Sequence, residues 1–404
     1  MSAYPMNMNV PQHVPPHLVH DFDVYEISPQ GGDFFAALYE LKRKAPSIFW
    51  TRCNEGHWFV TDSELARHVG RSPELFSSHA LVVPLYNNPS GRGFNPIHLD
   101  PPEHTKYRKH LSVALSRKSV AELTAGVRQL AIKLIEGLRP DGRCEFVTDF
   151  AFKLPFIIFL RLVDLPEEHR LGLLEVVGKI IRPGSDKAEL IRGISAYLAP
   201  IVHERYTAPR EDLISWLSQQ EVDGSRIIEQ ELLSMCTLLL IGGLDSVANT
   251  LGFFVRFLAD NPAHRRQLIE HPELLNSAVE ELLRRFPTVT AGTGRICVAD
   301  TVLGEVTIKP GDLILAPPAM MTFDDATYPN PLEVDFTRHI DSVGTFGQGP
   351  HRCVGANLAR SELGIFLQEW LTRIPEFHVV PGETINFQPG VNISYDKIPL
   401  EWAP

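Results

Sequence analysis

The stretch LLLIGGLDSVANT, residues 238–250, constrains the fold more than any other part of the chain. Apolar residues dominate around it from Leu232 to Leu258, a run long enough to cross a bilayer. Asp245 stands near the middle of that run, where a carboxylate in lipid would cost roughly 3 kcal/mol, and Asn249 and Arg256 follow it. The run is therefore expected to be a buried core helix of a soluble protein. Such a helix needs partners to cover it, and the sequence supplies them. Apolar residues at three- and four-residue spacing predict further helices over 119–138, 188–206, 263–286 and 354–373, with the core helix itself over 227–259.

Strand signals are short and clustered. IFWTRC and HWFVTD flank Asn54-Glu55-Gly56 as one hairpin, and VLGEVTI and DLILAPP flank Lys309-Pro310-Gly311 as a second. FHVV and VNISYDKIPLEW close the chain. With no repeat, low-complexity tract or linker, residues 1–404 are expected to form one mainly α domain with a small β-rich region. The loop PLYNNPSGRGFNPIHLDPPEH, 84–104, carries Leu85, Tyr86, Phe94 and Ile97, which suits a lid over a pocket.

Composition removes several function classes. A net charge of −11 argues against nucleic-acid binding, which needs a basic face. Five scattered cysteines without a C-x-x-C pair argue against a disulfide framework or structural zinc, and favour a reducing compartment. MSAYPMNMNVPQHVPPHLVH has neither a basic nor an apolar leader region, so a cytoplasmic protein without a membrane anchor is expected.

The chemistry is concentrated in FGQGPHRCVG, residues 346–355, directly ahead of a predicted helix with a buried stripe of Ala359, Leu363, Phe366 and Trp370. A cysteine just before a helix N-terminus sits where the dipole and free amides favour the thiolate. Gly347, Gly349 and Gly355 allow the backbone to approach something flat and to point amides at sulfur. A buried free cysteine would explain the sulfur alone; glycines, an aromatic and a neighbouring cation together suit a ligand to iron porphyrin.

At this point the sequence resembles the cytochrome P450 family, whose signature Phe-x-x-Gly-x-x-x-Cys-x-Gly is matched by Phe346, Gly349, Cys353 and Gly355. The resemblance implies a large helical domain with a long central helix over the haem, and heme b ligated by Cys353. It implies a structural network of Glu281, Arg284 and Arg338 bracing the cysteine loop. It also assigns His104, Arg108, Arg295 and His351 to the haem propionates.

The opening stretch then acquires a purpose. A glycine pair inside a helix costs about 1 kcal/mol per residue relative to alanine. The missing side chains of Gly242 and Gly243 would leave a groove for dioxygen and substrate, and Asp245 and Ser246 would relay protons as the O–O bond breaks. Family members most often carry threonine at the position of Ser246; losing that methyl leaves a looser rotor and an expected loss of coupling.

LLLIGGLDSVAN, EELLRRF, QEWLTRIPEF and LDPPEH look like the soluble bacterial camphor hydroxylase group. That likeness implies a small hydrophobic substrate, a monoterpenoid or a norisoprenoid such as an ionone. Camphor itself is not expected, because Arg92 stands where the camphor enzyme has its lid tyrosine. Register places Val83, Phe94, Leu238, Ile241, Gly242, Val289, Val391 and Asn392 at the pocket, with Asn392 the one polar anchor for a carbonyl.

Electrons must arrive from outside, since the chain has no G-x-G-x-x-G fingerprint and no cysteine set for a cluster. Lys106, Lys109, Arg352 and Arg360 form the expected docking patch for an acidic 2Fe-2S ferredoxin, itself reduced by NADH through a reductase, on a monomeric enzyme. The rival readings are a haem-thiolate peroxygenase or isomerase, and a haem sensor without catalysis.

Overall fold

The computed structural model describes residues 9–27, 33–80, 94–165, 187–292, 294–340 and 343–403. Helices begin where the chain offers a side-chain acceptor to free amides. Asp33 caps α1 (Phe34–Lys44), accepting from Phe35 and Ala36, and Asp62 caps α2 (Ser63–Arg71), accepting from Leu65. Between them β1 (Ile48–Thr51) and β2 (His57–Val60) pair antiparallel around the Asn54-Glu55-Gly56 turn, whose three residues all have positive φ. That hairpin is the one the sequence predicts. After β3 (Phe76–Ser77) come α3 (Glu103–Ala114) and α4 (Arg117–Leu138), the latter capped by Ser116. A short β4 (Arg143–Glu145) leads to α5 (Lys153–Leu162), and α6 (Lys187–Thr207) and α7 (Leu213–Ser218) follow.

The central helix α8 (Glu229–Asp260) runs unbroken through Gly242 and Gly243. It is the described helix long and apolar enough to span a membrane, but most of it is buried inside the protein. Its first half packs against α5, α6 and α7 through Leu232, Met235, Cys236 and Leu240. Its second half enters the main core through Leu251, Phe253, Phe254 and Leu258.

The predicted helix 263–286 is two: α9 (Pro262–Glu270) and α10 (Leu275–Arg285), separated at His271-Pro272. The proline disfavours the helical conformation at His271 and lacks the amide that would continue the ladder. The second predicted hairpin is also corrected. β8 (Thr301–Leu303) pairs with β9 (Val306–Ile308) around Gly304, whose φ is +63°. The DLIL segment instead forms β10 (Leu313–Leu315), parallel to β2 and antiparallel to β7 (Gly294–Cys297), so distant pairing overrides the local turn.

The short α11 (Pro318–Thr322) precedes the cysteine loop, and α12 (Ala356–Arg373) follows it. Trp370 of α12 is fully buried within an aromatic cluster of Phe146, Phe150, Phe366, Phe377 and Trp402, with ring centroids 5.1–5.9 Å away. Burying such a side chain contributes about 1.5–3 kcal/mol, so this cluster anchors the helix that begins at the cysteine. The C-terminal segment folds back as β11 (His378–Val379) against β14 (Pro399–Glu401), and β12 (Phe387–Gln388) against β13 (Ser394–Tyr395).

Candidate active site

The cysteine loop is tightly determined. The Cys353 N–H donates to Phe346 O at 2.8 Å, Arg352 N–H to Gly349 O at 3.1 Å, and Gly347 N–H to Gly344 O at 2.9 Å. Gly347 and Gly349 have φ of +71° and +69°, the left-handed region open to glycine. At Gly349 there is a second reason. A Cβ there would lie 2.1 Å from Gly70 O, so its missing side chain admits the end of α2, not a flat ligand as the sequence suggested.

Cys353 is exposed while the other four cysteines are buried. Burial pushes the thiol up, and the Gly355 N–H and the guanidinium groups of Arg108, Arg352 and Arg360 pull it down.

A buried ion network supports this loop from behind. Arg284 donates to Glu281 through Nε (2.7 Å) and Nη2 (2.9 Å), and both side chains are inaccessible to solvent. Arg338 Nε adds a third bond to Glu281 at 3.2 Å, and the Asp335 N–H a fourth at 3.0 Å. The remaining Arg284 hydrogens reach Pro331 O and Glu333 O. Strength then passes forward along α10: Thr345 Oγ1 donates to Leu283 O at 2.6 Å, and Glu280 pairs with Arg360, whose guanidinium lies 4.5 Å from the Phe346 ring centroid. Sequence reasoning missed Glu280.

Four basic side chains from three segments gather here, two from α3, one from β7 and one from the loop itself. His104 is buried and packs on His351 with ring centroids 4.2 Å apart. Both ring nitrogens of His104 and Nε2 of His351 are buried without a partner. Arg108 donates to Arg352 O, and buried Arg295 donates to Gly294 O at 2.7 Å. Burial pushes His104 down to about 4, His351 to about 3 and Arg295 to about 10. The four basic groups are thus two guanidiniums and two imidazoles that burial keeps neutral. Asp100, which sequence reasoning passed over, accepts from Ser77 Oγ and the Ser78 N–H and lies electrostatically close to both histidines and Arg295.

Orphaned buried donors cost free energy unless something accepts from them. Two guanidiniums and unpartnered imidazoles near the Cys353 thiol fit a porphyrin, whose two carboxylates they would hold while the sulfur would ligate its iron. The same fit extends to the central helix. Gly242 and Gly243 are exposed on a largely buried helix, and a Cβ on either would meet nothing within 4 Å among the described residues.

The cytochrome P450 family model matches residues 183–390. The chain belongs to the cytochrome P450 family. A probable cytochrome P450 127A1 of Sinorhizobium fredii is 31% identical to it over 98% of this chain and 97% of that one. Cytochrome P450(BM-1) of Priestia megaterium is 28% identical over 95% and 97%. Among solved structures, CYP101J2 superposes with a TM-score of 0.90 at 37% identity, and CYP101C1 with 0.90 at 36%, each covering 98% of this chain and all of the other. This P450 therefore has the fold and kinship of the camphor-hydroxylase-like CYP101 group. It is a haem b-dependent monooxygenase.

The remaining P450 site residues fall as follows. Ser246 Oγ donates to Gly242 O at 2.8 Å, a bond back along the helix. Asp245 accepts from Asn249 Nδ2 at 3.1 Å and from Asn392 Nδ2 at 2.7 Å. Asn392, expected to anchor a substrate carbonyl, thus has an amide hydrogen committed to Asp245. Leu238, Ile241 and Gly242 share one helix face, and Val289 and Val391 lie together on both sides of Gly292. Phe94 is half-buried, and the neighbouring Asn95 N–H donates to Ser234 Oγ of the central helix at 3.0 Å. Val83, Arg92 and the first part of the lid lie outside the described residues.

The four cations expected to meet a ferredoxin differ in their surroundings. Lys106 is paired with Glu103 (2.8 Å) and Asp223 (2.7 Å), and Arg360 with Glu280. Lys109 and Arg352 remain exposed.

Proposed function

We propose that this P450 inserts one atom of dioxygen into a C–H bond of a small hydrophobic substrate, a monoterpenoid or norisoprenoid such as an ionone. The observation that supports this reading best is the open Gly242–Gly243 face with Asp245 and Ser246 on the next turn. Haem bound through Cys353 supplies the redox-active iron that splits dioxygen. Everything else is protein chemistry. Cys353 would ligate the iron, and Arg108, Arg295, His104 and His351 would hold the propionates. Asp245 takes up a proton from solvent and passes it to Ser246, which gives its own hydroxyl proton inward once that hydroxyl turns away from Gly242 O and keeps the one it receives. Half-buried Leu238, Ile241, Val289 and Val391 exclude water and orient the substrate by shape.

Two electrons reach the site from NADH through a reductase and an acidic 2Fe-2S ferredoxin that meets the protein at Lys109 and Arg352. The enzyme acts as a cytoplasmic monomer. Reconstitution with ferredoxin and reductase tests the assignment. A terpenoid that drives the iron to high spin should be hydroxylated with NADH, and Asp245→Asn should lower kcat on the order of a hundredfold. Turnover with peroxide alone, unaffected by ferredoxin, would assign a peroxygenase.

A further inference from the structure

The Asp245 carboxylate is held from two directions. Asn249, one turn onward in the same helix, donates to Oδ1, and Asn392, from the distant C-terminal segment, donates to Oδ2 by the shorter bond. The second donor rests on a short hydrogen-bonded ladder. Asn392 bridges Val289 in antiparallel fashion, the Ile393 N–H donates to Thr288 O at 2.8 Å, and the Thr290 N–H donates to Val391 O at 2.9 Å. The two valines of that ladder crowd Gly292, where a Cβ would lie 2.9 Å from Val391 Cγ1 and 3.1 Å from Val289 Cγ1. The carboxamide that grips the acid is therefore built into the apolar wall assigned to substrate.

We propose that Asn392 is a positioning residue for Asp245, linking occupancy of the substrate pocket to proton delivery. This rests on the reading of Asp245 as proton donor. A carboxylate that accepts two charge-assisted hydrogen bonds is fixed in one rotamer. To reach the Ser246 hydroxyl or a water it must turn, which stretches or breaks the bond from Asn392. Val391 and Asn392 are consecutive residues of one ladder, so a ligand that packs on the valine moves the carboxamide with it. An empty pocket keeps the acid parked; a filled pocket releases it.

The holoenzyme variants Asn392→Leu and Asp245→Asn, singly and together, test the link. Asn392→Leu should keep the substrate dissociation constant, read from the spin-state titration, within about threefold while changing kcat about tenfold. It should also alter the kinetic solvent isotope effect and the peroxide released per NADH. Both effects should vanish in the Asp245→Asn background. Weaker substrate binding with unchanged kcat would make Asn392 a ligand contact and overturn the proposal. So would a kcat change of equal size on top of Asp245→Asn. If Asp245→Asn alone keeps full kcat, the donor reading fails and takes the proposal with it. Should the leucine variant not retain haem, Asn392→Ser, too short to reach Oδ2, is read in the same way.

Discussion

Around Gly349 the chain is packed until no methyl group fits, whereas around Gly242 a methyl group would touch nothing. The two glycines are there for opposite reasons. Gly349 has a left-handed backbone and presses on the carbonyl of Gly70, so it serves a contact between two parts of the protein. Gly242 sits in regular helix and, among the described residues, has no such contact. The loop proposed to hold the metal is over-determined by its neighbours; the helix face proposed to receive small molecules is bare.

Three variants separate these roles, and the largest effect lies behind the cysteine. Glu281→Gln strands Arg284 as a buried charge without its counterion, at a cost of about 3–5 kcal/mol. Chemical denaturation should register that loss together with poor haem retention; a variant of native stability would show that the network does not carry the loop. Gly349→Ala combines left-handed strain with overlap on Gly70 O, together about 2–4 kcal/mol. Here the reduced carbon monoxide spectrum should lose its thiolate character, because α2 and the loop cannot both keep their places.

The smallest change has the opposite sign. Gly242→Ala should raise stability by about 1 kcal/mol, since alanine is the better helix former and its methyl meets no neighbour. Spectral titration should show weaker substrate binding in the same variant. A stabilised protein with unaltered ligand binding would mean that the bare helix face is not used.

Much of this arrangement is legible in the sequence because it is local. The cysteine signature, the long apolar helix and the Asn54-Glu55-Gly56 hairpin each lie within one short window whose chemistry allows few alternatives. The break at His271-Pro272 was equally visible, and a strict reading of the proline would have found it. What escaped was set by distance along the chain. β10 prefers partners from β2 and β7 over the strand just before it, and no local pattern announces that choice. Asn392 looks like a stray polar residue in an apolar segment until folding lays it against Asp245. Glu280 was hidden in another way: beside Glu281 it reads as a solvated acid, and only Arg360 gives it a task.

The seating of Gly349 against Gly70 also bears on when the enzyme becomes complete during synthesis. The ribosome releases α2 well before the thiolate loop, so a nascent chain carries the seat long before the part that fits it. Iron capture through sulfur must therefore wait for Cys353, and a ribosome stalled anywhere upstream of it would display a chain without its metal-binding sulfur.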